Sequence, residues 1–219
     1  MPTLRAINLG QNFGSLLLFR RMSFEVTGAE SLAITGSNGS GKSTLLRILS
    51  GVMTPKAGTV ELDVGGSPVS DAARPLHTGM VAPYLSVYDD LTARENLSFL
   101  VDARGSTSTS VSIDAVLERV GLSGREDDLV RTFSSGMKQR VKYAAAMLPE
   151  PDVLLLDEPS ANLDVAGIEM VHGVMDWQLG AGRILVVATN VAAEAETCDR
   201  ALSVEDFREE VGSAATSAD

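Results

Sequence analysis

Two spacings of apolar residues alternate along the chain. Short runs in which nearly every position is apolar, Ser31-Leu32-Ala33-Ile34-Thr35, Val153-Leu154-Leu155-Leu156 and Ile184-Leu185-Val186-Val187-Ala188, carry no polar face. Strands covered on both sides by helices read this way, because neither face meets water. Thr78–Val81 predicts a further strand, and the last run extends as a strand over Arg183–Thr189. Between these runs the apolar spacing widens to three and four residues, predicting helices over Lys42–Ser50, Thr92 to about Val101, Ser112–Val120, Gly136–Leu148 and Val165–Leu179. Punctuation agrees with the spacing. Thr92-Ala93-Arg94-Glu95 is a capping box, Gly51 and Gly121 are stops, and Pro149 and Pro151 close the helix before the third core strand. The first thirty residues read as short strands, Leu4–Asn8 and Met22–Val26, on either side of Gly10–Gly14. Strands alternating with helices imply a mostly parallel sheet with helices on both faces. A helical insertion of roughly Leu85–Phe133, with a Ser/Thr-rich loop at Gly105–Ser112, interrupts that alternation, and the small, polar Gly212–Asp219 reads as a disordered tail.

The first apolar run leads into Gly36-Ser37-Asn38-Gly39-Ser40-Gly41-Lys42-Ser43-Thr44, which matches G-x-x-x-x-G-K-[ST] between a strand and a helix. Glycines let the backbone curl so that successive N–H groups converge on an anion, and the following helix adds the positive end of its dipole. The pattern implies a nucleoside triphosphate site, with Lys42 between the β- and γ-phosphates and the Ser43 hydroxyl on Mg²⁺. The run Val153–Leu156 delivers Asp157-Glu158-Pro159 to the carboxyl edge of the sheet, where ligands of such folds bind. Asp157 is placed to hold Mg²⁺, and Glu158 to orient or deprotonate an attacking water.

Composition narrows the partners. Among 219 residues the net charge is −11, which argues against nucleic acid as a bulk partner, since backbone binding needs Lys and Arg to neutralise phosphates. Lysines occur only at 42, 56, 138 and 142, a lysine-poor acidic surface that suits either a high-salt setting or an ordinary acidic enzyme. No apolar run approaches the roughly 18 residues that cross a bilayer, so a cytoplasmic protein is expected. The lone cysteine, Cys198, lies in a helical Ala-Glu-Thr-Cys pattern and reads as a small buried apolar group.

Phe133-Ser134-Ser135-Gly136-Met137-Lys138-Gln139-Arg140 precedes the third core strand. Taken with Gly36–Thr44 and Val153–Pro159, it makes the chain resemble the ATP-binding cassette (ABC) ATPases, whose signature at this place is usually Leu-Ser-Gly-Gly-Gln. The resemblance extends over Leu45–Gly51, Leu91-Thr92 with Glu95-Asn96-Leu97, and Ser160–Asp164, nearly the whole length. It implies an α/β fold: a P-loop NTPase (RecA-like) core with a mostly parallel sheet and an antiparallel β lobe over residues 1–84 and 134–211, and an ABC-specific helical subdomain over 85–133. It also implies ATP and Mg²⁺ as ligands, a homodimer formed on ATP binding, a separate transmembrane permease, and a peripheral position on the inner face of the cell membrane. In that family Ser134 and Gly136 face the nucleotide of the opposite subunit, Asp164 carries information across the dimer, and Phe13 stacks on adenine. The region Phe133–Arg140 with Ala188–Asn190 looks most like the branch that includes haem exporters of cytochrome maturation.

Two departures from the family pattern stand out. Its usual Mg²⁺-contacting glutamine falls on Pro83, and its switch histidine on Asn190, an amide donor that cannot become a cation near neutral pH. Hydrolysis is then expected to rest on Glu158, Lys42 and Mg²⁺, with Asn190 as a donor to the reacting phosphate, and to be slow. A regulatory module that binds ATP with little turnover, and a soluble non-transport ABC protein, are the alternatives.

Overall fold

The computed structural model describes residues 1–105, 111–161 and 163–208; the expected tail at 212–219 and most of the expected loop at 105–112 lie outside them. The chain opens with a hairpin, β1 (Pro2–Phe13) and β2 (Leu16–Thr27), followed by β3 (Ser31–Thr35), α1 (Lys42–Leu49), β4 (Ala57–Val64), β5 (Ser67–Val69) and β6 (Thr78–Val81). Then come α2 (Ala93–Ala103), α3 (Ile113–Arg119), α4 (Ser135–Met147), β7 (Val153–Asp157), α5 (Val165–Gly180), β8 (Ile184–Ala188), α6 (Ala192–Ala195) and β9 (Arg200–Ser203). They form an antiparallel sheet ordered β2-β1-β4-β5 and a parallel sheet ordered β6-β7-β8-β3-β9.

The all-apolar strands owe their composition to their position. Strand side chains alternate between faces, and in β7 Leu154 and Leu156 enter one apolar cluster while Val153 and Leu155 enter another. The first cluster joins the sheet to Tyr143 and Ala144 of α4, Val171 of α5, and Leu97 and Leu117 of α2 and α3. The second joins it to Leu45 and Leu49 of α1 and to Leu4, Phe19 and Met22 of the antiparallel sheet. Burying each leucine contributes about 1.5–3 kcal/mol, so the strand is fixed in place from both sides.

Two expectations change, and one strand was not anticipated. Gly10 does not mark a turn: β1 runs on to Phe13, and only Gly14-Ser15 separates it from β2. A Cβ at Gly10 would stand 3.3 Å from the Cβ of Ala57, so the glycine serves close strand approach, and register shifts between Ala6 and Asn12 take up the irregularity. Cys198 lies in a turn after the one-turn α6 rather than in a helix; it is half-buried, and burial pushes its thiol up. Strand β9, only four residues long and largely open at the sheet edge, carries too weak a pattern to be legible.

Leu155→Ala leaves a cavity between β7 and α1 and is expected to cost about 2–5 kcal/mol. Urea denaturation followed by circular dichroism measures it, and a loss below about 1 kcal/mol would show that this face of the sheet is not tightly packed.

Candidate functional site

The loop from β3 to α1 adopts a backbone open mainly to glycine. Gly36, Gly39 and Gly41 have φ of 142°, 78° and 109°, and a Cβ at Gly36 would stand 2.7 Å from Ser40 Oγ. The curled loop brings its amides to the start of α1, whose first turn carries no acid. Lys42 is almost fully buried, and its Nζ donates to the carbonyls of Gly36 at 2.8 Å and Ser37 at 3.1 Å, lying back over the loop. Phe13 and Leu16, paired across the hairpin tip and both exposed, form an apolar wall beside this loop. Together with Asn38, Lys42, Ser43 and Glu158 they bound a cavity of about 320 Å³. An aromatic wall at one end and a cationic amide cradle at the other suit a base and its phosphates.

At the end of β7, Asp157 is buried and its Oδ1 has no hydrogen-bond partner. Burial pushes its carboxyl up; the Ser43 hydroxyl and the Lys42 charge pull it back, and Glu158 adds to the rise. A buried, unpartnered carboxylate oxygen beside a hydroxyl is a donor set of hard oxygens, which fits a Mg²⁺ ion. Glu158 sits at φ 50°, a region costly for a side chain other than glycine, while its N–H donates to Ala188 O at 2.8 Å. The turn is pinned beyond it. Tyr143 Oη donates to Pro159 O at 3.0 Å, and the Ser160 N–H and hydroxyl both donate to Glu194, a nearly buried carboxylate from α6. Glu158 also lines a second cleft, of about 430 Å³, with Pro83, Ser135, Gln139 and Lys142. It is therefore common to the phosphate-loop cavity and an open cleft beside α4.

Ser134, Gly136 and Asp164 lie away from the loop cavity, whereas Asn190 meets the loop itself. Ser134 caps α4, its Oγ accepting from Met137 N at 3.2 Å, and Gly136 lies in the first turn of that helix; neither lines the loop cavity. Asp164 caps α5 by accepting from Gly167 N at 2.8 Å. Asn190 does not cap α6, whose N-cap is Val191; its Nδ2 donates to Asn38 Oδ1 at 2.9 Å, tying the end of β8 to the phosphate loop. Ser37 is held from the far side: its N–H at 3.1 Å and its hydroxyl at 2.6 Å both donate to Glu205, whose carboxyl these bonds hold below the ordinary range.

A family model described as ABC transporter matches residues 19–161, well over half of the chain. The chain belongs to the ABC transporter family. It is 34% identical over 206 residues to the Nod factor export ATP-binding protein I of Burkholderia lata, covering 92% of this chain and 67% of that one. It is 35% identical over 193 residues to the cytochrome c biogenesis ATP-binding export protein CcmA of Rhizobium etli, covering 85% and 87%. Among solved structures, the "ATP binding subunit of ABC transporter" superposes with a TM-score of 0.78 at 26% identity over 91% of this chain and 85% of that chain. The haem-exporter-like resemblance agrees with the second relative, and comparable identity to a Nod factor exporter shows that similarity reaches beyond that branch.

As an ABC ATPase domain, the chain places Pro83 on the rim of the cleft that holds Glu158. Sequence reasoning missed the supports of this site. Glu194 and Glu205 lie in short elements with no periodic signal, and Tyr143 reads simply as one more apolar position of α4.

Asn190→Ala is expected to lower turnover by roughly 10²–10³ with little change in ATP affinity, the loss typical of one preorganised donor. Asn190→His is expected to retain turnover and add a pH dependence between about 5 and 8. Steady-state phosphate release and ATP titration measure both, and wild-type turnover in the alanine variant would leave the amide without a catalytic role.

Proposed function

We propose that the protein is the ATP-binding and ATP-hydrolysing subunit of an ABC transporter, which dimerises around two ATP molecules to power a separate membrane permease. The observation that carries the reading is the position of Glu158, bordering both the phosphate-loop cavity and an open cleft, while the signature residues Ser134 and Gly136 stand away from their own loop. A second copy laid across the cleft brings its α4 N-terminus to the γ-phosphate, completing a site that one chain leaves half built. The names of the exporter relatives support the assignment to transport, and no helix among the described residues is long and apolar enough to cross a membrane. The protein then works at the inner face of the membrane, held there by its permease.

Each residue has a role in this reading. Phe13 stacks on the base, and the amides from Gly36, Ser37, Asn38, Gly39, Ser40 and Gly41 through Thr44 surround the phosphates. Lys42 leaves its two carbonyls for the β- and γ-phosphates, and Glu158 orients the attacking water and accepts its proton. Asp157 and Ser43 would hold Mg²⁺, which when bound neutralises charge on the phosphates. Asn190 offers an amide to the reacting phosphate, Ser134 and Gly136 close on the partner's nucleotide, and Asp164 faces the dimer interface. A second reading, a regulatory module with slow turnover, is favoured by Pro83 and by the Asn190 amide being committed to Asn38.

Glu158→Gln keeps the shape of the carboxylate but cannot take a proton, so it is expected to accumulate an ATP-bound dimer without cleaving ATP. Gel filtration with ATP and Mg²⁺ reads the outcome. A variant that stays monomeric at saturating ATP, or hydrolyses at the wild-type rate, contradicts the reading.

A further inference from the structure

Strands β3 and β9 run side by side in parallel, with Ile34 opposite Leu202 and Thr35 opposite Ser203. Two residues beyond that last pair stand Ser37, in the phosphate loop, and Glu205. The register therefore sets Glu205 against Ser37, and the carboxylate accepts both the Ser37 N–H at 3.1 Å and its hydroxyl at 2.6 Å. Neither residue lines the loop cavity, so the loop is gripped from its outer side. The grip has a firm base. Val204 is fully buried, the Glu205 N–H donates to Ser203 Oγ at 3.2 Å, and Arg208 donates through Nε to Leu18 O of β2 at 3.3 Å.

The peptide between Gly36 and Ser37 links this grip to Lys42. It is trans and planar, so its N–H and its carbonyl point to opposite sides. With the N–H turned toward Glu205, the Gly36 carbonyl is turned away from it, and that carbonyl accepts from Lys42 Nζ at 2.8 Å. Gly36 by itself leaves the orientation undecided, because at φ 142° a residue without a Cβ lets the peptide turn over at little cost. An overturned peptide would face the ammonium with an N–H in place of a carbonyl. One carboxylate outside the cavity thus selects which pole of the peptide Lys42 meets.

We propose that Glu205 is a positioning residue for ATP binding, which sets the Gly36–Ser37 peptide so that the loop presents Lys42 to the β- and γ-phosphates. It acts through the backbone, from outside the cavity, and the proposal rests on the phosphate-contacting role given to Lys42 above. Its sign is opposite to that of simple electrostatics. A carboxylate near a triphosphate repels it, so removing the charge alone would tighten binding. Positioning requires weaker binding whenever the acceptor oxygen is lost.

Calorimetric titration with ATP and Mg²⁺, beside phosphate release at saturating ATP, separates the two effects. Glu205→Ala removes charge and acceptor together and is expected to weaken ATP binding about tenfold, with kcat changed by less than about twofold. Glu205→Gln keeps an oxygen that can accept both bonds and drops the charge. It is expected to bind ATP at least as tightly as wild type, a rescue that misfolding cannot produce. Ser37→Ala keeps the N–H bond and is expected to lose less than Glu205→Ala, and the double variant Ser37→Ala/Glu205→Ala to bind no more weakly than Glu205→Ala alone. Wild-type or tighter binding by Glu205→Ala overturns the proposal, as do a glutamine variant as weak as the alanine variant and additive losses in the double variant. Lys42→Ala keeps the two readings apart. Undiminished ATP affinity there removes the phosphate-loop reading and this proposal with it, whereas a loss there beside wild-type binding by Glu205→Ala removes the proposal alone.

Discussion

The burial of β7 on both faces is the constraint on which the rest depends. Leucines 154, 155 and 156 are anchored alternately into two separate apolar clusters, so the strand can neither slide nor rotate. A one-residue slip would exchange the two faces and carry the next two residues with it. Those next residues are Asp157 and Glu158, a buried carboxylate with one oxygen unpartnered and a carboxylate on a left-handed backbone. Neither is comfortable by itself. The packing behind them outweighs both costs, which is how strain and desolvation persist at a site that uses them.

A second layer fixes what the strand delivers. Tyr143 from α4 and Glu194 from α6 bind the turn after Glu158, Asn190 ties the end of β8 to Asn38, and Glu205 holds Ser37. Each bond joins the phosphate loop or the acidic turn to an element distant in sequence. Three of the four supports come from the last thirty described residues, so the carboxyl-terminal elements act mainly as a frame for the loop and turn.

Local signals made most of the core legible. The phosphate loop, the apolar strands, the capping box at Thr92 and the acids after β7 each follow from spacing over a few residues, and each lies in the structure where that spacing puts it. What escaped depends on contacts between distant segments. Gly10 reads as a turn until Ala57 is seen against it, and Cys198 reads as helical until α6 ends after one turn. The chemistry of the Asn190 amide escaped in the same way, because its partner is 152 residues away.

The central claim is that the hydrolytic site is shared between two copies of the chain, one supplying the phosphate loop and the other the start of α4. Mixing two inactive variants tests it. Lys42→Ala removes the loop's charge, and Ser134→Arg blocks the approach of the α4 N-terminus; each alone is expected to be without turnover. In a mixed dimer, one of the two sites pairs the intact loop of the Ser134→Arg chain with the intact signature of the Lys42→Ala chain, so phosphate release is expected to reappear on mixing. Recovery of turnover in the mixture, absent from either variant alone, is the predicted result; a mixture as inactive as its components would contradict the shared site.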